Sequence, residues 1–355
     1  MREGRSAVIA MLMAAGGAFV VTAFFTPLLI RRLRVKGIGQ QIRDDGPIEH
    51  PHVAKAGTPT MGGIAIVLAT VVGYLFAHIR RKSIAFATPG WALIALIVGL
   101  GIVGWIDDYL GVRAGRNLGL RKRGKTLGIV VMASGFAWLA VYFVHTDTHL
   151  SFTQPLNIDL GKLGLFLWAV LVVYATANAV NLTDGLDGLA TGSSAFTFAA
   201  FMIIAFTEFR HPDIYRVLPA QALDQAVVAA AMFGACAGFL WWNAAPARVF
   251  MGDTGSLAIG GAIAGLALLT RTHLLLPLLA GLPTIETLSV IAQVVSYRGF
   301  RRRVLRMAPI HHHFEVGGWS EFTVIVRFWL FSGICVALGV GIFYADFLRH
   351  GVNLG

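Results

Sequence analysis

The sequence predicts an all-α polytopic membrane protein with about ten transmembrane helices. Of the 355 residues, 56% are hydrophobic and only 13% are charged, which is too few charges for an ordinary soluble domain. Apolar runs long enough to cross about 30 Å of hydrocarbon recur along the chain, without the alternation of a membrane β-barrel. The ten candidate spans are 7–30, 61–79, 91–106, 126–144, 162–180, 188–206, 225–241, 254–270, 274–296 and 322–347. We therefore expect residues 1–355 to form a single transmembrane domain.

The first apolar run is long and leads directly into Arg31-Arg32-Leu33-Arg34. It exceeds the apolar core of a signal peptide, so we interpret it as a retained span. With ten spans, most of the 29 Lys and Arg residues fall in loops on one side of the membrane. The positive-inside rule predicts that this side is cytoplasmic and that both termini lie outside. Arg80-Arg81-Lys82 is an exception on the other side.

The net charge of +11 is compatible with two kinds of partner. In a soluble protein it would suggest nucleic acid. Here the basic residues border apolar spans, where they are attracted to anionic lipid head groups. We therefore expect membrane lipid as a partner and no nucleic acid.

The loop after the first span carries a glycine-rich stretch next to a lysine. Gly57, Pro59 and the Gly62-Gly63 pair predict a tight, non-helical backbone before the second span. Backbone N–H groups in such a segment, with Lys55 beside them, can bind phosphate. A plain basic turn is an equally good interpretation, because the sequence lacks the Gly-Lys-Ser/Thr of a Walker loop.

Adjacent carboxylates, Asp107 and Asp108, follow the third predicted span. Two acids at the C-terminal end of a helix repel each other and oppose the helix dipole. A structural role therefore explains them poorly. A bound divalent cation or a role in proton transfer would offset the cost.

Two further acidic segments lie between later spans. Residues 178–189 contain Asp184 and Asp187, with a tight, capped turn as the alternative interpretation. Asp253 begins the sequence Asp-Thr-Gly-Ser, which is typical of a helix N-cap. All five acids are predicted on the basic face of the membrane. Their convergence predicts a divalent metal site.

The ninth predicted span contains Glu286, three residues after Pro283. A carboxylate inside a span is costly and commonly functional. We favour a structural role, in which Glu286 pairs with backbone groups freed at a proline break.

The following loop contains His311-His312-His313. Consecutive histidines point to different sides of a helix and no cysteine is near, which disfavours zinc. Imidazoles beside arginines are better suited to binding phosphate or orienting a nucleotide.

Four motifs occur together in this chain: Asp107-Asp108, the segment 178–188, Phe250-Met-Gly-Asp253-Thr-Gly-Ser256 and Ala308-Pro-Ile-His311-His-His-Phe-Glu315. In order and spacing they resemble the phospho-N-acetylmuramoyl-pentapeptide transferases of bacterial peptidoglycan synthesis. The resemblance covers nearly the whole chain, and the triple-histidine loop is its most specific part. Related transferases of N-acetylglucosamine 1-phosphate share the aspartate motifs but differ in that loop.

The resemblance implies an enzyme that transfers phospho-N-acetylmuramoyl-pentapeptide from its UDP-linked form to undecaprenyl phosphate, giving lipid I and UMP. It implies a homodimer and an active-site cleft on the cytoplasmic face of the bacterial plasma membrane. Mg²⁺ is the implied cofactor, with Asp253 as its ligand. The implied catalytic residues are Asp107, Asp108, Asp253 and His311. The implied substrate-binding residues are Lys55, Thr60, Lys125, Asn181, Asp184, Gly185, Leu186, Asp187, Asn243, Phe250, Gln293, Ala308 and His312.

The segment after the aspartate pair departs from the family pattern. Gly111 and Arg113 stand where a lysine often follows the aspartate pair. The departure leaves open which basic residue holds the lipid phosphate. The reaction implied is attack by the lipid phosphate on the β-phosphorus of the UDP-sugar. We favour direct attack over a covalent aspartyl intermediate, because a metal-bound carboxylate is a weak nucleophile.

Two other functions are alternatives. The first is the same chemistry on UDP-N-acetylglucosamine, which the triple-histidine loop disfavours. The second is an ion-coupled transporter. Transporters place their acids near the membrane midplane, whereas here the acids are predicted at one surface.

Overall fold

Long apolar helices dominate the structure, and the predicted all-α membrane class is confirmed. The computed structural model describes residues 2–39, 57–79, 85–113 and 119–352. The helices within these ranges are α1 (Arg2–Val35), α2 (Gly63–Ala77), α3 (Thr88–Arg113), α4 (Lys122–Leu139), α5 (Gly161–Thr183), α6 (Leu189–Arg210), α7 (Pro212–Tyr215), α8 (Pro219–Asn243), α9 (Gly252–Leu269), α10 (Leu276–Leu279), α11 (Gly281–Phe300), α12 (Ile310–Val316) and α13 (Glu321–Val352). A π-helical turn, Ala140–Val144, extends α4.

Eight helical segments in the described ranges are long and apolar enough to cross a membrane. They lie in α1, α3, α4 with its π-helical turn, α5, α6, α8, α9 and α13. The predicted span 61–79 corresponds to the shorter helix α2, of 15 residues. The predicted span 274–296 is divided at Ala280 into α10 and α11, neither of which is among the eight. A total of ten spans therefore stays a prediction.

The end of the third span differs from the prediction. We expected Asp107 and Asp108 just beyond a helix ending near residue 106, but α3 continues to Arg113. The hydrophobic pattern stops at the aspartates, whereas the backbone hydrogen bonding of the helix does not require apolar side chains. The two carboxylates therefore lie inside α3, more than one turn before its last residue.

A small hairpin joins α4 to α5. Strands β1 (His149–Ser151) and β2 (Pro155–Asp159) pair antiparallel. The Ser151 N–H donates to Nε2 of His273 at 2.9 Å, and burial lowers the pKa of His273 to about 4, so its imidazole remains a neutral acceptor. Thr153 Oγ1 donates to Asp346 at 2.7 Å. The hairpin is thus fastened to the segment before α10 and to α13.

Helices α8 and α9 form the centre of the bundle, and α1 and α13 expose most of their apolar surface. Close approaches to the start of α9 occur at glycines. A Cβ at Gly63 would overlap the backbone of Gly255, and one at Gly104 would overlap the Asp253 carbonyl. Glycines of this kind let helix backbones pack in direct contact. As a result, α2 and α3 hold the first turn of α9, which carries Asp253.

Candidate active site

Three carboxylates meet at the N-terminal end of α9. Asp107 and Asp108 from α3 and Asp253 from α9 each offer an oxygen, and these oxygens lie within 4.8 Å of one another. All three residues are half-buried. Carboxylates this close repel one another, and a divalent cation with its preference for oxygen ligands would remove the repulsion. The residues therefore fit a divalent metal ion.

Asp108 also caps α9. Its Oδ1 accepts the N–H of Asp253 at 3.0 Å, while its Oδ2 accepts the N–H and the hydroxyl of Thr254 at 3.0 and 2.6 Å. The first N–H groups of a helix have no partner within the helix, and the dipole there favours negative charge. The approach requires Gly252, which has φ +71° and whose added Cβ would lie 2.6 Å from Asp108 Oδ2.

The predicted N-cap therefore has a different origin from the one expected. The sequence Asp253-Thr-Gly-Ser256 suggested a cap formed within its own segment. The N-cap residue of α9 is instead Met251, whose side chain makes no capping hydrogen bond. The capping carboxylate comes from α3, 145 residues away in sequence. A contact at that separation leaves no local pattern in the sequence.

Asp253 is held by residues of two further helices. Asn181, in the last turn of α5, donates from Nδ2 to Asp253 Oδ1 at 2.6 Å and to Ser256 Oγ at 2.9 Å. Lys125, in the first turn of α4, forms an ion pair with Asp253 Oδ2 and lies 3.4 Å from Asn181 Oδ1. Helices α3, α4, α5 and α9 thus contribute side chains to one cluster. Ser256 and Thr254 were missed, because their only signal was the local cap motif.

Asp107 is oriented by the segment before α4. Its Oδ1 accepts the N–H of Leu120 at 2.9 Å. A Cβ at Gly119 would overlap the Asp107 carbonyl oxygen. This contact brings the start of α4, and with it Lys125, towards the carboxylate pair.

Asp184 lies directly after α5, where the charges of the carboxylate cluster reach it. Burial, together with the charges of Asp253, Asp108 and Asp187, raises the pKa of its carboxyl to about 8. A group with this pKa is mainly protonated at neutral pH. A cation bound among these acids would favour its ionised form.

The rest of the 184–188 loop is fastened to its neighbours. Asp187 Oδ2 accepts the N–H of Ala247 at 2.8 Å, and the Asp187 N–H donates to Glu321 Oε1 at 3.1 Å. Leu186 is buried in a small apolar cluster with residues of α11 and α13, whereas Gly185 is exposed. Substrate binding by Gly185, Leu186 and Asp187 stays a prediction.

The segment before α2 pairs with the segment before α9. The Phe250 N–H donates to the Pro59 carbonyl, and the Gly62 N–H donates to the Phe250 carbonyl, both at 2.8 Å. Half-buried Thr60 is thereby placed next to Phe250. The structure thus brings together these two residues, both of which are predicted to bind substrate. Lys55, the third residue expected here, lies outside the described residues.

Two residues predicted to bind substrate, Asn243 and Gln293, form hydrogen bonds with other groups of the protein. Asn243 is buried, accepts the Thr191 hydroxyl at 3.1 Å and donates to the Val249 carbonyl at 3.0 Å. Gln293 Oε1 accepts the N–H groups of residues 304 and 305 at 3.1 and 3.0 Å, and its Nε2 donates to the carbonyl of residue 305 at 3.1 Å. Both amides stabilise segments next to the site, and their contact with substrate stays a prediction.

Each of the three histidines has its own partner in the protein. His311 is fully buried, with Nδ1 3.0 Å from Glu286 Oε2. His312 Nδ1 lies 2.7 Å from Glu315 Oε2, and His313 Nδ1 accepts the N–H of Arg306 at 3.0 Å. The three partners differ, but the expected divergence of the rings does not hold for His311 and His312, whose ring centroids lie 4.1 Å apart. Ala308 is half-buried and lies just before α12, the helix that carries the three histidines.

The expected partner of Glu286 is wrong. We expected backbone groups at a break caused by Pro283, but the break falls at Ala280, and Pro283 lies in the first turn of α11. Proline is tolerated there because a first-turn N–H has no helical partner. The Glu286 carboxylate pairs with the His311 imidazole.

Two family models match the chain. The model described as glycosyl transferase family 4 matches residues 90–271, which include Asp107, Asp108, Lys125, Asn181 and Asp253. A signature of phospho-N-acetylmuramoyl-pentapeptide-transferase matches residues 55–67. Most of the cluster described above thus falls within matched sequence.

Relatives with the same name cover almost the whole chain. A phospho-N-acetylmuramoyl-pentapeptide-transferase of Frankia alni is 49% identical over 96% of this chain and 99% of its own length. That of Saccharopolyspora erythraea is 46% identical over 95% and 97%, and that of Streptomyces griseus is 47% identical over 94% and 98%. The chain belongs to the phospho-N-acetylmuramoyl-pentapeptide transferase family.

Proposed function

We propose that this chain transfers phospho-N-acetylmuramoyl-pentapeptide from UDP-N-acetylmuramoyl-pentapeptide to undecaprenyl phosphate, producing lipid I and UMP. The observation that carries the proposal is the meeting of Asp107, Asp108 and Asp253 beside Lys125 where apolar helices end. Here a lipid tail can lie along the helices while its phosphate reaches charged groups. The names of the relatives support the choice of transferred group.

Mg²⁺ is the cofactor in this proposal. Asp253 would hold it, together with oxygens of Asp107 and Asp108, because hard divalent cations prefer carboxylate ligands. When bound, the ion neutralises charge on the diphosphate and polarises its phosphorus–oxygen bonds. Asn181 keeps the Asp253 carboxylate oriented, and Asp108 keeps the first turn of α9 in place.

The protein groups position the reactants and balance their charge. Asp107 accepts the proton of the lipid phosphate, and a phosphate oxygen then attacks the β-phosphorus of the UDP-sugar. The bond between that phosphorus and the oxygen bridging to the α-phosphate breaks, and UMP leaves with the electron pair. Lys125 neutralises phosphate oxygens, since its ammonium already lies among the cluster. Direct attack needs no covalent bond to an aspartate.

We place this site on the cytoplasmic face, with both termini outside. Exposed basic residues flank the same end of the bundle, at the C-terminal end of α1, before α4 and after α11, which supports this orientation by the positive-inside rule. A homodimer and a single domain over residues 1–355 stay predictions.

A substrate exchange tests the proposed function. Purified protein with Mg²⁺ and undecaprenyl phosphate should release UMP from UDP-N-acetylmuramoyl-pentapeptide and not from UDP-N-acetylglucosamine, with a lipid-linked product appearing in equal amount. Release only from UDP-N-acetylglucosamine would establish the alternative transferase. Ion-coupled uptake into liposomes, with no UMP from either sugar, would establish a transporter.

A further inference from the structure

Glu286 and His311 form a buried pair that the reaction described above does not use. Both side chains are almost completely inaccessible to solvent, at 0% and 1% exposure, with Oε2 and Nδ1 3.0 Å apart. Within the described ranges, neither carboxylate oxygen and neither ring nitrogen makes a hydrogen bond, so the Oε2–Nδ1 ion-pair contact is the polar contact that the two side chains share. A buried carboxylate of this kind is costly unless its partner is well placed. Each residue therefore determines the position of the other.

The other edge of the His311 ring faces the 184–188 loop. A Cβ added to Gly185 would overlap Nε2 and would lie 2.8 Å from Cε1. Gly185 is exposed and adjoins Asp184, whereas His311 is fully buried behind it. The imidazole thus lies between Glu286 on its Nδ1 side and the backbone of the 184–188 loop on its Nε2 side.

Helix α11 fastens this histidine segment at two points. Glu286 and Gln293 are seven residues apart, two turns of helix, and therefore lie on the same face. Gln293 binds the backbone of residues 304 and 305, while Glu286 contacts His311 at the start of α12. Because Gln293 holds the segment independently, loss of the Glu286 charge should misorient the imidazole without detaching α12.

We propose that Glu286 is a positioning residue for phosphoryl transfer. Its carboxylate fixes the orientation of the His311 ring, and the Nε2 edge of the ring supports Gly185 and hence the 184–188 loop. In metal and catalytic sites the partner of a histidine commonly fixes the ring in this way. The proposal rests on the proposed function, because it assigns the pair a role in that reaction.

The test uses the intact protein and a double-mutant cycle. Glu286→Gln keeps the size of the side chain and removes its charge, and it should lower kcat/KM by about 10- to 100-fold, the range for partners of ligating histidines. Glu286→Asp should retain part of the activity. In a His311→Ala background, Glu286→Gln should have little further effect, because residues that act as a unit are not additive.

A second buried carboxylate provides the control. Glu208 is 2% exposed and lies near the far end of α6, about five turns from the 184–188 loop. Glu208→Gln should leave kcat/KM unchanged, and Mn²⁺ binding should remain in Glu286→Gln.

Two outcomes would contradict the positioning role. In the first, the loss of kcat/KM in the double variant equals the product of the losses in Glu286→Gln and His311→Ala. In the second, Glu286→Gln is as active as the original protein. Should Glu286→Gln not fold, an Asp variant with unaltered kcat/KM would overturn the proposal equally. Absence of UMP release by the original protein would instead contradict the proposed function.

Discussion

Replacing Asp253 by asparagine is expected to reduce Mg²⁺-dependent UMP release by about 10³-fold, because it removes a charge that no other side chain in the cluster replaces. The amide would still accept a hydrogen bond from Asn181, which now reaches Asp253 Oδ1 at 2.6 Å. It would no longer balance a cation or the Lys125 ammonium. The measurement is the initial rate of UMP release in detergent, at Mg²⁺ concentrations raised well above those that saturate the original protein.

The matched control for this change is Asp213→Asn. Asp213 is exposed on α7, outside the carboxylate cluster, and its substitution should leave the rate unchanged. Turnover of Asp253→Asn at the original rate would exclude the metal role assigned to this residue. Recovery of full turnover at high Mg²⁺ would show that Asp253 affects only affinity.

The second large effect is expected at Lys125. Lys125→Met keeps an unbranched side chain but removes the ammonium group that contacts Asp253 and Asn181. Without this charge the phosphate oxygens are less well neutralised in the transition state, and kcat should fall by about 10²-fold. Affinity for Mn²⁺ in the absence of substrate should be retained, because the carboxylates lose a competing cation. Rates and Mn²⁺ binding are measured on the same preparation.

Lys122 offers the comparison for Lys125. It is exposed one turn earlier on α4, so Lys122→Met removes the same charge from the same helix without reaching the cluster. Its kcat should stay close to that of the original protein. Equal losses in the two variants would mean that the basic surface acts through its total charge, and Lys125 would have no special role.

The helices could be predicted because their signal is local. A span requires only enough consecutive apolar residues to cross the hydrocarbon, and eight of the ten predicted runs appear as helices of this kind. The predicted helix ends are wrong where the hydrophobic pattern and the backbone hydrogen bonding do not end at the same residue. α3 continues through the polar Asp107-Asp108 pair to Arg113, and the apolar run 274–296 conceals a break at Ala280.

The residues that form the site could be predicted from the sequence, but the contacts that each of them makes could not. Five acids predicted on one face of the membrane suggested one metal site, and the structure brings three of them together, Asp107, Asp108 and Asp253. The role of Asp108 as the cap of α9 depends on a contact between two helices. The pairing of Glu286 with His311 likewise depends on how α12 folds back on α11. Neither contact follows from sequence spacing.

Direct titration with Mn²⁺, followed by electron paramagnetic resonance, tests most sharply whether the α3 and α9 carboxylates form one cation site. One Mn²⁺ should bind each chain of the original protein, and Mg²⁺ should compete for it. Asp253→Asn should bind Mn²⁺ at least about tenfold more weakly, since a negatively charged ligand is lost, and Asp213→Asn should bind it normally. Equal Mn²⁺ affinity in Asp253→Asn and the original protein would contradict a shared site at the start of α9.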